Sequence, residues 1–145
     1  MTVRPAQRGR KKGTTMQILQ PSTWARPRGY ANGVAAKGRF VLISGQVGWS
    51  AAGEFETREF VGQARQALAN VVAVLAEAGG RPEHIARLTW YVIDKDEYVA
   101  SYQALGRAYR EVIGNHYPAM TAVQVAALVE DAAKVEIEAT AVIPE

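Results

Sequence analysis

The sequence lacks cysteine altogether and has only two histidines, His84 and His116. Without cysteine the chain cannot form disulfide bonds, thiolate nucleophiles or thiolate metal sites. The two histidines are not spaced as a metal-binding pair, so we expect no metal site. A phosphate-binding loop and a dinucleotide fingerprint are also missing, and we therefore expect no cofactor.

Long apolar runs are missing as well. No run approaches the roughly 18 residues of a membrane-spanning helix, and the N-terminus lacks the apolar segment of a secretory signal. With 145 residues, 48% of them hydrophobic, the chain is long and apolar enough for one packed domain. We expect a cytoplasmic protein with no membrane partner.

Acidic residues are absent from the first twelve positions, which hold five of the 17 basic residues. The remaining 12 basic residues stand against 14 acidic ones, so the rest of the chain has a net charge of −2, although the whole chain has +3. We interpret residues 1–15 as a disordered basic tail and residues 16–145 as a single domain. A mildly acidic domain does not favour nucleic acid as a partner.

The apolar patterns predict the element order β-β-α-β-α-β-β. Strands at 34–36 and 39–46 are expected to form a hairpin around Lys37-Gly38, because glycine suits a tight turn. A helix over 57–78 follows, since apolar residues recur there at spacings of three and four, and Gly79-Gly80 ends it. The remaining elements are a strand at 86–93, a helix that begins after a cap at Asp94 or Asp96 and runs to Ile113, and strands at 121–126 and 134–143.

Only two helices are predicted, so they can cover just one face of a five- or six-stranded mixed sheet. The uncovered face carries Phe40 and Leu42 beside Ser44 and Gln46, and such an exposed apolar surface is unfavourable in a monomer. Packing these faces around a symmetry axis would remove them from water. We therefore predict an α+β fold that forms a closed homo-oligomer.

The last strand carries the best candidate for a site. Period-2 alternation places Glu136, Glu138 and Thr140 on one of its faces. A carboxylate on an apolar strand is costly to bury unless a partner or ligand meets it, and Glu136 could position or activate a water molecule. The alternative is a structural role, at a solvated edge or in ion pairs with Lys134 or Arg39. The polar set on the predicted strands also includes Tyr30, Ser44 and Gln46.

Short motifs along most of the chain are informative in combination, although no single one is decisive. They are Tyr30, Ile43-Ser44-Gly45-Gln46-Val47, the helical segment with Gln66 and Asn70, Ala78-Gly79-Gly80, Val92-Ile93-Asp94, Tyr117-Pro118-Ala119 and Val135-Glu136-Ile137-Glu138-Ala139. In this order and spacing, residues 30–143 resemble the RidA/YjgF family, once named after endoribonuclease L-PSP.

The resemblance implies a chorismate-mutase-like fold with two helices on one face of the sheet, a homotrimer, and small-molecule clefts between neighbouring subunits. It also implies hydrolysis of reactive enamines and imines, such as 2-aminoacrylate, to 2-keto acids and ammonia. In that family, residues matching Tyr30, Ser44 and Gly45 line the cleft, a backbone group matching Ala122 contacts the ligand, and a glutamate matching Glu136 holds the hydrolytic water.

One position departs from the family pattern. The arginine that binds the substrate carboxylate after the Pro-Ala pair is Met120 here, which offers neither a donor nor a charge. The family's asparagine after the third strand is matched by Asp96. Either another arginine reaches the cleft from a neighbouring subunit, with Arg26, Arg28 and Arg107 as candidates, or the ligand lacks the carboxylate and contacts Met120 through a more apolar group.

Three functions therefore compete. The first is a RidA-like deaminase with Glu136 as the catalytic residue; its substrate-binding residues would be Tyr30, Ser44, Gly45, Gln46, Asp96, Met120 and Ala122. The second is a non-catalytic homotrimer that binds a small molecule or a partner, which Met120 favours. The third is RNA binding or cleavage, which the acidic domain disfavours.

Overall fold

The structure, a computed structural model, describes residues 16–145. The expected basic tail at 1–15 lies outside the described residues. The elements are β1 (Gln17–Leu19), β2 (Gly33–Ala35), β3 (Arg39–Val47), α1 (Phe60–Glu77), a 3₁₀ turn (Pro82–His84), β4 (Ile85–Val92), α2 (Lys95–Ala100), α3 (Tyr102–Val112), β5 (Ala119–Gln124) and β6 (Val135–Ile143). Within this part of the chain, no helix combines the length and apolar character needed to cross a membrane.

The main sheet has the strand order β3-β6-β4-β5. β6 pairs antiparallel with both β3 and β4, whereas β4 and β5 are parallel, so the sheet is mixed. α1 packs on β3 and β6, and α3 packs beside α1. The expected α+β fold, with its helical layer on one face of a mixed sheet, is confirmed.

The predicted first hairpin is wrong. β2 pairs with β1 in a separate two-stranded sheet, and β3 pairs with β6 instead. The end of β6 occupies the space beside the expected turn, because the Ile143 carbonyl lies against Gly38. The segment around Gln17–Leu19 was expected to be irregular but supplies the partner of β2. Within residues 16–145 the main sheet therefore has four strands rather than five or six.

α1 begins at Phe60, three residues later than predicted, and ends before Gly79, whose φ of 78° suits glycine. Its buried face includes one polar residue that the apolar pattern did not predict. The Gln63 side chain is completely buried, donates to the carbonyls of Thr57 and Ala132, and accepts from the Lys134 N–H. These hydrogen bonds tie α1 to the segment that leads into β6.

The predicted second helix is divided into α2 and α3 at Ser101. As expected, Asp94 caps the first part: its Oδ1 accepts from the N–H groups of Asp96 and Glu97 at 3.0 and 3.1 Å. Ser101 has φ −96° and ψ 6°, which departs from helical geometry and redirects the chain. The predicted buried stripe therefore holds at Leu105 and Tyr109 but fails at Tyr102, which is 56% exposed.

The sheet face opposite the helices, which we call the open face, is uncovered in the single chain. Phe40 and Leu42 of β3 are 66% and 78% exposed there. Their β3 neighbours Val41 and Ile43 contribute to the core on the helix side. The predicted apolar surface is therefore present, and its burial in an oligomer remains a prediction.

Candidate functional site

The strand register assigns the candidate residues to opposite faces of the sheet. Met120 lies beside Leu88 of β4, which is buried under the helices. Glu136 lies beside Tyr91, three residues farther along the same strand. Because side chains alternate along a strand, Leu88 and Tyr91 point to opposite faces. Met120 therefore faces the helices and Glu136 lies on the open face.

A cavity of about 780 Å³ lies on the helix side, between α3, the edge strand β5 and residues 28–30. We call it the aromatic cavity. Met120 and Ala122 line it from β5, and the exposed Arg28 and Arg110 lie at its rim. Its six aromatic residues are Tyr30, Trp90, Tyr98, Tyr102, Tyr109 and Tyr117. The cavity can accommodate a ligand with substantial apolar surface.

The inner wall of the aromatic cavity is held by contacts from its tyrosines. The Tyr109 hydroxyl donates to the His116 carbonyl at 2.6 Å, and its ring stacks on Tyr117 with 5.5 Å between centroids. Burial raises the pKa of Tyr109 and of Tyr98. His116 Nε2 lies 2.7 Å from the Ile85 carbonyl, a contact that joins the segment before β5 to β4. These contacts give the wall a defined shape.

We predict that Tyr109 makes the protein less stable at high pH. In the folded protein its pKa is raised above the ordinary value of 10.0. Its contribution to the free energy of unfolding is therefore complete below pH 10 and is lost as the pH rises through the folded pKa. Urea unfolding at pH 8 and above pH 10 should show this loss. Tyr109→Phe should lower stability by about 1 kcal/mol at pH 8 and flatten the pH dependence. Tyr102→Phe, on the exposed side of α3, should leave the dependence unchanged; an equal flattening in both variants would contradict the assignment.

The second group of candidates lies on the open face. The β3 bulge falls between Ile43 and Gln46, and a Cβ at Gly45 would collide with the Glu136 carboxylate. This glycine therefore allows Glu136 to lie directly against the β3 backbone. Ser44 lines a neighbouring cavity of about 420 Å³, together with Glu138.

The two glutamates differ in their partners. The Tyr91 hydroxyl donates to Glu138 Oε1 at 2.6 Å, and this hydrogen bond is the main cause of the raised pKa of Tyr91. In residues 16–145, no hydrogen bond or ion pair engages the Glu136 carboxylate. The alternative ion pairs are not formed, since Lys134 pairs with Glu97 and Arg39 donates to the Ala78 carbonyl. Glu136 is thus the carboxylate left for a ligand or water.

Some candidates lie away from both cavities. Asp96 is exposed in the first turn of α2 and lines neither cavity, and the Gln46 side chain donates to the Ser44 carbonyl. Among the candidate arginines, Arg28 reaches the aromatic cavity, but Arg26 and Arg107 do not. The sequence analysis did not identify Arg110 as a cavity residue. The signal was its spacing of four from Gly106 and eight from Tyr102, which places the three residues on one face of a helix.

Comparison with known proteins matches residues 23–143 to the family model described as Endoribonuclease L-PSP. The chain belongs to the RidA/YjgF family. A RutC family protein of Haemophilus influenzae is 36% identical over 105 residues, which cover 72% of this chain and 80% of that protein. A Capra hircus protein named 2-iminobutanoate/2-iminopropanoate deaminase is 34% identical over 105 residues. The matched region covers 72% of this chain and 73% of that protein.

The solved structures include a similar RidA/YjgF fold in a Rid family protein of unknown function, YyfB, from Yersinia pestis. It superposes with a TM-score of 0.80 at 31% identity, over 90% of this chain and all of that one. The family and fold implied by the motifs between Tyr30 and Ile143 are therefore confirmed.

Proposed function

We propose that this protein hydrolyses small imines and their enamine tautomers in clefts that are completed by two neighbouring subunits of a homotrimer. The observation that carries the proposal is the division of the candidate residues between two faces. Tyr30, Met120 and Ala122 line the aromatic cavity, whereas Ser44, Gly45 and Glu136 lie on the open face. One chain cannot bring the two groups around one ligand, but the edge of one subunit against the open face of another could.

The exposed apolar side chains of the open face support the proposed homotrimer. Phe40 and Leu42 expose apolar side chains on the face of the sheet opposite the helical layer, and both remain exposed within residues 16–145. Closed symmetry buries identical patches together, so three copies can cover their open faces around one axis. The aromatic cavity, beside the edge strand β5, would then lie where neighbouring chains meet.

The chemistry assigned to Glu136 is positioning and activation of water. In this reaction the water oxygen bonds to the imine carbon and a proton passes to the nitrogen. The resulting carbinolamine then releases ammonia and leaves a carbonyl product. A carboxylate with no protein partner can accept the proton of the attacking water and return it to the leaving nitrogen. Glu136, held against the β3 bulge at Gly45, fits this role.

A non-catalytic binding protein is the second candidate, and Met120 is the observation that favours it. Methionine supplies no charge for a substrate carboxylate at this position, and its thioether packs with the core beside the aromatic cavity. A homotrimer with an apolar cavity could hold a small molecule without turning it over. RNA binding is disfavoured, because the open face carries Glu136 and Glu138 beside one arginine, Arg87, and not a stripe of basic residues.

The test is an imine-decay assay with the complete protein. 2-Aminoacrylate and a series of bulkier imines would be generated in situ, and their decay followed with increasing protein concentration. We expect decay in proportion to protein concentration, together with a trimer mass by light scattering. A folded trimer that accelerates the decay of none of these imines would refute the hydrolase and leave the binding protein.

A further inference from the structure

The aromatic cavity is larger than a three- or four-carbon imine requires. Its volume of about 780 Å³ lies within the roughly 300–1,000 Å³ range of pockets that hold drug-sized ligands. In the proposed trimer a neighbouring subunit closes part of this space, so the volume is an upper limit for the ligand. The aromatic lining of the cavity suits a ligand with a bulky apolar group.

The two ends of the aromatic cavity differ in chemistry. The inner end is formed by buried side chains, Trp90, Leu105 and Tyr109. The exposed rim carries Arg28 and Arg110, and the ion pairs found within residues 16–145 involve neither of them. This division matches a ligand with an aromatic group at one end and an acidic group at the other, because guanidinium groups bind carboxylates in a bidentate manner.

Trp90 contributes part of its ring to the inner end. The residue is 2% exposed, and its Nε1–H has no acceptor among residues 16–145 but is itself enclosed by protein. The indole therefore offers a ligand in the cavity an apolar contact rather than a hydrogen bond.

Gly106 enlarges the cavity from the helix side. It lies inside α3, where glycine is less favourable than alanine. No packing within the described chain requires it, because a Cβ there would meet only Arg110 Nη1, at an acceptable 3.4 Å. The missing side chain keeps open space that faces the aromatic cavity.

We infer that the substrates of this site are 2-imino acids with an aromatic side chain. The aromatic group occupies the inner end beside Trp90, and the carboxylate binds Arg28 and Arg110 in place of the arginine that Met120 replaces. Hydrolysis converts the 2-imino acid and water to an aryl 2-keto acid and ammonia. This inference rests on the proposed function for turnover, but its binding preference can be measured without turnover.

Binding of two keto acids, phenylpyruvate and pyruvate, tests the preference by titration calorimetry on the complete protein. We expect phenylpyruvate to bind at least 10-fold more tightly than pyruvate. Gly106→Trp should weaken phenylpyruvate binding at least 10-fold, because its side chain fills the aromatic cavity. Arg107→Trp, on the exposed side of the same helix and outside the cavity, is the matched control and should bind both probes like the wild type. Arg110→Gln should weaken both probes, since each carries a carboxylate.

Two results would overturn the inference. One is equal binding of the two probes by the wild type. The other is a Gly106→Trp protein that is folded and oligomeric by circular dichroism and light scattering yet still binds phenylpyruvate normally. If Gly106→Trp dissociates the oligomer, Gly106→Leu replaces it; if that variant dissociates as well, the cavity is a subunit contact and the inference fails.

Turnover separates this inference from the proposed function. Imines made in situ from phenylalanine and alanine would be compared in the decay assay, and the aromatic imine should be hydrolysed with at least 10-fold higher kcat/KM. Failure with both imines, alongside tight phenylpyruvate binding, refutes the hydrolase but keeps the ligand class. Equal hydrolysis of both imines keeps the hydrolase and refutes the ligand class.

Discussion

Glu136→Gln is expected to lower kcat for imine hydrolysis by about 100-fold or more, with little change in KM. General acid–base groups typically contribute 10²–10⁴-fold, and glutamine keeps the shape of the side chain while removing its ability to accept a proton. A residue that acts only in the transition state lowers kcat without changing substrate binding. Steady-state kinetics with in situ generated imines measures both constants.

The matched control for Glu136 is Glu138→Gln, two residues farther along the same face of β6. Glu138 already accepts a hydrogen bond from Tyr91, and a glutamine oxygen can accept it as well. We expect kcat to stay within about threefold of the wild type, since the change affects a structural contact alone. An equal loss in both variants, or a loss in Glu138→Gln only, would remove Glu136 from the catalytic role.

Leu42→Glu is expected to convert the proposed trimer to a monomer. The Leu42 side chain is 78% exposed on the open face of the single chain, so the substitution should not disturb folding of the monomer. Burying a carboxylate in a packed subunit interface is strongly unfavourable unless it is paired. Light scattering should give the mass of one chain for the variant and of three chains for the wild type.

Val129→Glu provides the control for the oligomer. Val129 is 96% exposed in the connection between β5 and β6, outside the strands that form the open face. The same new charge should leave the trimer intact there. Hydrolysis should be lost in Leu42→Glu and kept in Val129→Glu, because each proposed cleft needs two subunits. A monomeric Leu42→Glu with normal hydrolysis would show that one chain holds a complete site.

Local sequence patterns predicted the structure correctly where it depends on residues that are close together in the sequence. The alternation of β6 correctly placed Glu136 and Glu138 on one face, because each side chain direction follows from the pleat of the strand. The spacing of apolar residues in α1 predicted its buried face, apart from the polar Gln63, which is buried, and Val74, which is 41% exposed; Gly79 marked its end. The sequence offered Asp94 or Asp96 as the cap of the second helix, and the cap is Asp94.

Pairing between distant segments could not be predicted in this way. Lys37-Gly38 is compatible with a hairpin turn, but β3 pairs with β6 at the other end of the chain, and β2 pairs with β1. The division of the second helix at Ser101 was also missed, since Tyr98 and Tyr102 fit one continuous apolar stripe. In both cases tertiary packing overrides a local signal that allows more than one arrangement.

The sequence by itself determined the family, the α+β fold class and the residue types available for chemistry, including the methionine at position 120. Only the tertiary structure decided that Met120 and Glu136 lie on opposite faces of the sheet, that Arg110 joins Arg28 at the rim of the aromatic cavity, and that Asp96 lies outside it. The physical reason is that the sequence of a strand itself determines which side chains share a face. The alignment of one strand or helix against another depends instead on pairing between distant segments and on packing across the whole domain.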